Sequence, residues 1–169
     1  MTSRIVIIGG GQAGGWAAKT LRDEGFDGEI CVVAEEEWDF YERPPLSKGS
    51  LLEPDAGLPR LFSDEAQQAL NLAWYRPLRA EAVDRDEKKV VLSNGEQLSY
   101  NILLIATGGR ARLPSQAWAS HPQVYTLRHW QDAQRLKARL AESKKLAIVG
   151  GGWIGLEIAA SARKSGVAV

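Results

Sequence analysis

The chain has 169 residues, enough for one well-cored domain and short for two. Hydrophobic residues make up 44%, charged residues 25%, and the formal net charge is zero, which excludes a nucleic-acid or membrane-surface partner held by bulk charge. Cys31 is the one cysteine, so there is neither a disulfide framework nor a cysteine metal cluster, and no apolar run approaches the roughly 18 residues of a membrane span.

The first element is an apolar β-branched strand over Arg4 to Ile8. It stops at glycine too soon for a signal peptide, so the expected location is cytoplasmic. Gly9, Gly11 and Gly14 then fit G-x-G-x-x-G, and a helix is expected over Trp16 to Glu24. Strand, glycine turn and helix are the context in which this motif binds a dinucleotide. Gly9 allows the tight turn, Gly11 lets a diphosphate approach the backbone, and Gly14 lets helix pack on strand. The helix N-terminus offers free N–H groups to phosphates. A second strand covers Glu29 to Ala34, with Glu35 at its end, 21 residues past Gly14. A carboxylate there accepts hydrogen bonds from an adenosine ribose. The plainer alternative is a glycine-rich turn followed by a solvated acidic run, Glu35 to Glu37.

Pro44 and Pro45 forbid a helix through that point, so residues 38–60 read as loop or short helix. Phe62 to Leu72 reads as a helix with Ser63 as N-cap. From Ala80 the period changes to two. Strands are expected over Ala80–Asp84, Lys88–Leu92 and Gln97–Tyr100, with Asn94-Gly95 as a hairpin turn. Ile102 to Ala106 is continuously apolar and predicts a parallel strand buried on both faces. The expected fold is therefore α/β: a doubly wound, Rossmann-like parallel sheet with an antiparallel meander.

Residues 110–122 look like a connector, Val124 to Leu127 a short strand, and Trp130 to Glu142 a helix with Ala133, Leu136 and Leu140 near one face. Leu146 to Val149 predicts another buried strand. It runs into a second G-x-G-x-x-G, at Gly150, Gly152 and Gly155, and a helix over Leu156 to Ser165. Val167 to Val169 would begin a further strand. By the first motif's spacing the second acid falls near position 176, past Val169. One strand and one helix cannot bury both faces of a sheet, so the chain is expected to be cut within a second nucleotide-binding domain. A single domain whose last helix packs on the first sheet is the alternative. The expected division is 1–113 for the first domain and 114–169 for the start of the second. In the last helix, Ile154, Leu156 and Ile158 are expected to expose apolar surface and promote self-association.

Two glycine fingerprints with Thr107-Gly108-Gly109 between them resemble the flavoproteins built from two dinucleotide-binding domains. Tyr41-Glu42-Arg43-Pro44-Pro45-Leu46-Ser47-Lys48 narrows the resemblance to the ferredoxin reductase branch. So do Ala106-Thr107-Gly108-Gly109-Arg110-Ala111-Arg112, Thr126-Leu127-Arg128 and Gly152-Trp153-Ile154-Gly155-Leu156-Glu157. That branch holds rubredoxin, putidaredoxin and aromatic-ring dioxygenase reductases, with apoptosis-inducing factor as a relative. The chain looks most like the N-terminal part of the phenylpropionate/cinnamate dioxygenase type.

The resemblance implies FAD at the first motif and NAD(P)H at the second, and NADH-dependent reduction of an iron–sulfur ferredoxin or a rubredoxin. It implies FAD contacts from Gly9, Gly11, Gln12, Ala13, Gly14, Glu35, Arg43, Lys48, Ala80 (through its backbone), Ala106, Thr107, Gly108 and Arg128. For the nicotinamide cofactor it implies Gly150, Gly152, Ile154, Gly155 and Glu157. Lys48 beside Glu157 would lie by the flavin as the catalytic pair, a cation that stabilises charge on the reduced ring. Solvated surface charge is the competing reading for Arg43, Arg128, Lys48 and Glu157. Disulfide reductases of the wider superfamily carry a cysteine pair after the first β-α-β unit. Arg43 to Lys48 has none, which excludes thiol–disulfide chemistry there. A rubredoxin reductase, an apoptosis-inducing-factor-like NADH oxidoreductase and an inactive nucleotide-binding fragment are the competing functions. The isolated chain is expected to be inactive, lacking most of the nicotinamide domain. The six tryptophans are spread along the chain, and His121 and His129 have no metal-ligand spacing, so these read as structural.

Overall fold

A computed structural model describes residues 3–169. In chain order the elements are β1 (Arg4–Ile8), α1 (Gln12–Asp23), β2 (Glu29–Val33), a 3-10 turn (Pro44–Ser47), α2 (Gly49–Leu52), α3 (Asp64–Ala69), β3 (Leu72–Tyr75), β4 (Ala80–Asp84), β5 (Lys89–Leu92), β6 (Gln97–Ser99), β7 (Ile102–Ile105), a second 3-10 turn (Gln116–Trp118), α4 (Trp130–Glu142) and α5 (Trp153–Lys164). They fall into two compact units. One comprises the chain through Tyr41 with Arg60–Gly108, the other Glu42–Pro59 with Gly109–Val169. Residues 42–59 thus cluster with the later part of the chain.

In the first unit four parallel strands lie in the order β3-β2-β1-β7, with Ile5 opposite both Ile30 and Ile102. Successive side chains of a strand point to opposite faces. Ile5, Ile7, Ile30 and Val32 therefore pack with Ala18 of α1, Phe40 and Leu70. Val6, Ile8, Cys31 and Val33 pack with Val90, Leu92 and Leu98 of the antiparallel sheet β4-β5-β6. Burial on both faces is why β1 and β2 read as unbroken apolar runs. The second face, which a doubly wound sheet covers with helices, is covered here by the meander. Each fully buried Ile or Val contributes about 1.5–3 kcal/mol relative to exposure.

Three expectations in this unit are corrected. The helix expected to reach Leu72 ends at Ala69, and Asn71, at φ 46°, turns the chain into β3. Asparagine tolerates that left-handed conformation, and it was the overlooked stop signal. β3 itself was missed, since four residues carry little period. β7 was expected to be buried on both faces, but Ile102 and Ile105 are 57% and 66% exposed because the strand lies at the sheet's edge. Other signals behave as read. Ser63 caps α3 by accepting from Ala66 N–H at 3.3 Å, and Gly95 turns the hairpin at φ 85°. Arg22 ties α1 to the loops around it by donating to the carbonyls of Phe26, Gly28, Leu70 and Asn71.

In the second unit α4 buries Trp130, Ala133, Leu136 and Leu140, one turn-to-turn stripe, and packs on α2 and the first 3-10 turn. Pro44 and Pro45 open that turn, a short helix of the kind expected in this segment. Proline at the first positions of a helix loses no internal hydrogen bond. Val124 to Leu127 is not a strand. Neither is Leu146 to Val149, expected as buried. The residue before it makes a single parallel bridge, Lys145 to Ala168, with Leu146 N–H donating to Ala168 O at 2.7 Å. A parallel strand is buried by neighbours on both sides, and with one short partner Val149 stays 72% exposed. Among the described residues no helix is long and apolar enough to cross a membrane.

Candidate functional site

The first glycine turn is pinned on both sides. Gly9 N–H donates to Val33 O at 2.8 Å, and Ala106 N–H donates to Ile8 O at 2.8 Å. Gly9 sits at φ 125°, and a Cβ there would stand 2.2 Å from Ala106 O. A Cβ on Gly14 would stand 2.2 Å from Gly9 O and 3.3 Å from Ile7 Cγ2. Only glycine lets α1 come this close to β1. Gly11 is the N-cap of α1, in extended conformation, with no side-chain cap and no acid in the first turn. Gln12 and Ala13 begin the helix, so their N–H groups lack intrahelical acceptors and stand at the positive end of the dipole. That arrangement fits a diphosphate.

Glu35 stands two residues past the end of β2, half-exposed, with Oε1 3.3 Å from Arg79 Nε. Arg79 precedes Ala80, where the β4–β5 register shifts, and its N–H donates to Ser93 Oγ at 3.1 Å. Glu35 is thus tied to Arg79, the residue next to Ala80. Arg79 was missed; a basic residue beside an assigned position was the only signal. Ala106, Thr107 and Gly108 continue from β7, Gly108 at φ 69°.

The second unit holds the remaining assigned residues. Gly150 sits at φ 105°, and a Cβ on Gly155 would lie 2.8 Å from Gly150 O and 3.1 Å from Ile148 Cγ2. This repeats the close approach of Gly14 to Gly9. Gly152 is the N-cap of α5, again with no side-chain cap and no acid in the first turn. Ile154 lies in that turn, 53% exposed, with Leu156 at 59% and Trp153 at 84%, whereas Ile158 is half-buried, contrary to expectation.

Lys48 and Glu157 meet. Lys48 Nζ lies 2.9 Å from Glu157 Oε2. The same oxygen accepts from Ser47 Oγ at 2.5 Å. These two donors, the serine hydroxyl foremost, hold the Glu157 carboxyl below the usual carboxylate range. Arg43 and Arg128 also meet, since Arg43 Nη1 donates to Arg128 O at 2.6 Å and lies 3.3 Å from His129 Nδ1. His129 caps α4 in a reciprocal box with Asp132, so it is structural here. Arg128 Nε is buried without a hydrogen-bond partner among the described residues. A buried, unpaired guanidinium N–H is costly, and an acceptor supplied by a bound cofactor would relieve it. Among the described residues no group of three or more His, Cys, Asp or Glu could hold a metal.

Residues 3–169 match the family described as pyridine nucleotide-disulphide oxidoreductase. The ferredoxin–NAD(+) reductase component of the p-cumate 2,3-dioxygenase system of Pseudomonas putida is 46% identical over 165 residues, 95% of this chain and 40% of that protein. The corresponding component of the 3-phenylpropionate/cinnamic acid dioxygenase of Photorhabdus laumondii is 39% identical over 165 residues, 98% of this chain and 42% of that one. The crystal structure of the covalent putidaredoxin reductase–putidaredoxin complex superposes with a TM-score of 0.89 at 35% identity, over 98% of this chain and 40% of that one. The chain therefore spans about 40% of the length of the relatives it matches.

Proposed function

The chain belongs to the pyridine nucleotide-disulphide oxidoreductase family, and we propose that it is the N-terminal part of an NADH:ferredoxin oxidoreductase, the reductase component of an aromatic-ring-hydroxylating dioxygenase system. Residues 1–113 belong to the FAD-binding domain and 114–169 begin the NAD(P)H-binding domain. The location is cytoplasmic, and the electron acceptor is an iron–sulfur ferredoxin. The observation that carries this reading is the segment Arg43–Lys48. It has no thiol where disulfide chemistry would need one, and it supplies the Lys48–Glu157 ion pair instead. The single cysteine, Cys31, is buried in β2, and burial pushes its thiol up to about 11.

Gly9, Gly11, Gln12, Ala13 and Gly14 hold the diphosphate through backbone N–H groups, and Glu35 accepts hydrogen bonds from the ribose hydroxyls. Ala80 takes the adenine through its backbone, while Ala106, Thr107 and Gly108 line the approach from β7. Arg43 orders residue 128, and Arg128 donates its orphaned Nε–H to the FAD. Bound there, FAD would supply the redox chemistry: acceptance of a hydride from NADH, and delivery of its two electrons one at a time to the iron–sulfur protein with release of the proton. Lys48 places a positive charge by the ring, and Glu157 fixes that charge in one position. Gly150, Gly152, Ile154 and Gly155 receive the nicotinamide dinucleotide.

The test is to compare the isolated chain with the complete reductase, each given excess FAD and NADH, by flavin bleaching and ferredoxin-coupled cytochrome c reduction. The complete protein turns over. The isolated chain does not, because hydride transfer needs donor and acceptor about 3–3.5 Å apart in a fixed pose. Absence of NADH-dependent bleaching in the complete protein refutes the assignment. Equal turnover by the isolated chain refutes its reading as a part. Exposed Trp153, Ile154 and Leu156 also favour self-association of the isolated chain, read by its elution volume.

A further inference from the structure

Neither Ser47 nor Ser161 is among the residues assigned to a cofactor, yet both are buried, at 3% and 4% exposure. A buried hydroxyl must find a partner, and each finds one across the same short gap. Ser47 Oγ lies 2.5 Å from Glu157 Oε2 and 3.4 Å from Pro44 O. A hydroxyl has one hydrogen, and the shorter, charge-assisted contact takes it. Ser161 Oγ donates to the carbonyl of Ser47 at 2.8 Å. Glu157 and Ser161 are four residues apart on α5, so they stand one above the other on one face. One face of α5 therefore grips a single residue twice, by its side chain through Glu157 and by its backbone through Ser161. Lys48 is the next residue, so its backbone is set by the same grip. Its Nζ reaches the oxygen that Ser47 already holds. The Pro44-Pro45 turn stiffens the other side of this segment.

We infer that Ser47 and Ser161 are positioning residues for the reductase reaction, a two-point clip that holds the Lys48–Glu157 pair in its working geometry. This rests on the reading of that pair as the group beside the flavin. An exposed ion pair of a lysine and a glutamate is otherwise loosely held, because two long side chains resist one geometry. The clip removes that freedom, from the carboxylate through Ser47 Oγ and from the segment bearing the lysine through Ser161.

A double-mutant cycle in the FAD-loaded complete reductase tests this, with Ser47→Ala, Glu157→Gln, the pair together, and Ser161→Ala. Two quantities are read: the single-turnover rate of flavin reduction by NADH, and the flavin midpoint potential. Ser47→Ala slows reduction about tenfold, the loss expected for a hydrogen bond to a charged group, and moves the potential in the same direction as Glu157→Gln. The double variant is no slower than Glu157→Gln alone, because Ser47 acts through Glu157. Ser161→Ala shows a smaller slowing of the same kind, and it decides the matter if Ser47→Ala does not fold. Additive losses, or a normal rate and potential in both serine variants while Glu157→Gln is slow, overturn the clip and leave the pair's role standing. A normal rate in Glu157→Gln overturns the pair's role and the clip with it.

Discussion

Adding one methyl at Gly14 tests the argument for the first glycine turn at its tightest point. The Cβ of Gly14→Ala would stand 2.2 Å from Gly9 O, where carbon and oxygen do not come within 3.0 Å. The obstacle is backbone, so no rotamer change relieves it. α1 must retreat from β1 by about 1 Å, in an interior packed at crystal density. Overpacking of this kind costs about 1–3 kcal/mol, and the immobility of the obstacle argues for the upper half. With a urea m-value of about 2 kcal/mol/M, the unfolding midpoint should fall by roughly 1 M at unchanged m. The first-turn N–H groups retreat with the helix, so affinity for FAD should drop about tenfold or more. Gly57→Ala is the control, since a Cβ there has nothing within 4 Å and the backbone is not left-handed. The assays are urea unfolding followed by circular dichroism and calorimetric titration with FAD. A Gly14→Ala midpoint equal to that of Gly57→Ala would refute the close-packing argument. A lowered midpoint with wild-type affinity would show that Gly14 serves packing alone.

Glu35→Ala should weaken FAD binding about tenfold or more, because hydrogen bonds to a charged group contribute about 1.5–3 kcal/mol; unchanged affinity by calorimetry removes Glu35 from the site. Arg22→Met should lower stability by about 2–3 kcal/mol, since it keeps the stem but leaves the carbonyls of Phe26, Gly28, Leu70 and Asn71 without their shared donor, and a urea midpoint within error of wild type would contradict this. Cys31 should resist a disulfide-exchange reagent at pH 8 until the chain is unfolded. Its folded-state value lies above the ordinary thiol value, so the stability linked to it is full below that ordinary value and is lost as pH climbs through about 11; prompt labelling of the folded protein at pH 8 would refute the burial argument.

Both glycine turns, the helix cap at Ser63 and the hairpin at Asn94-Gly95 were legible in the chain, because each rests on a local requirement. A positive φ, a missing Cβ or a short polar cap leaves its mark on one or two residues. The apolar runs of β1 and β2 were legible too, because burial on both faces suppresses alternation. They did not tell that the second face is covered by the meander, since a helix and a sheet ask the same of Val6, Cys31 and Val33. Nor did local pattern distinguish Leu146 to Val149 from β1. Both are apolar and β-branched, and only the supply of neighbouring strands decides whether such a run is paired and buried. The candidate site divides in the same way. Gly9, Gly14 and Glu35 declare themselves by spacing. Arg79, Ser47 and Ser161 do not, because what marks them out is contacts between segments far apart in the chain. The hydrogen bond from Ser47 to Glu157 spans 110 residues. A spacing of that length carries no period and no turn signal, so only the packing of α5 on the 3-10 turn could bring its two ends together.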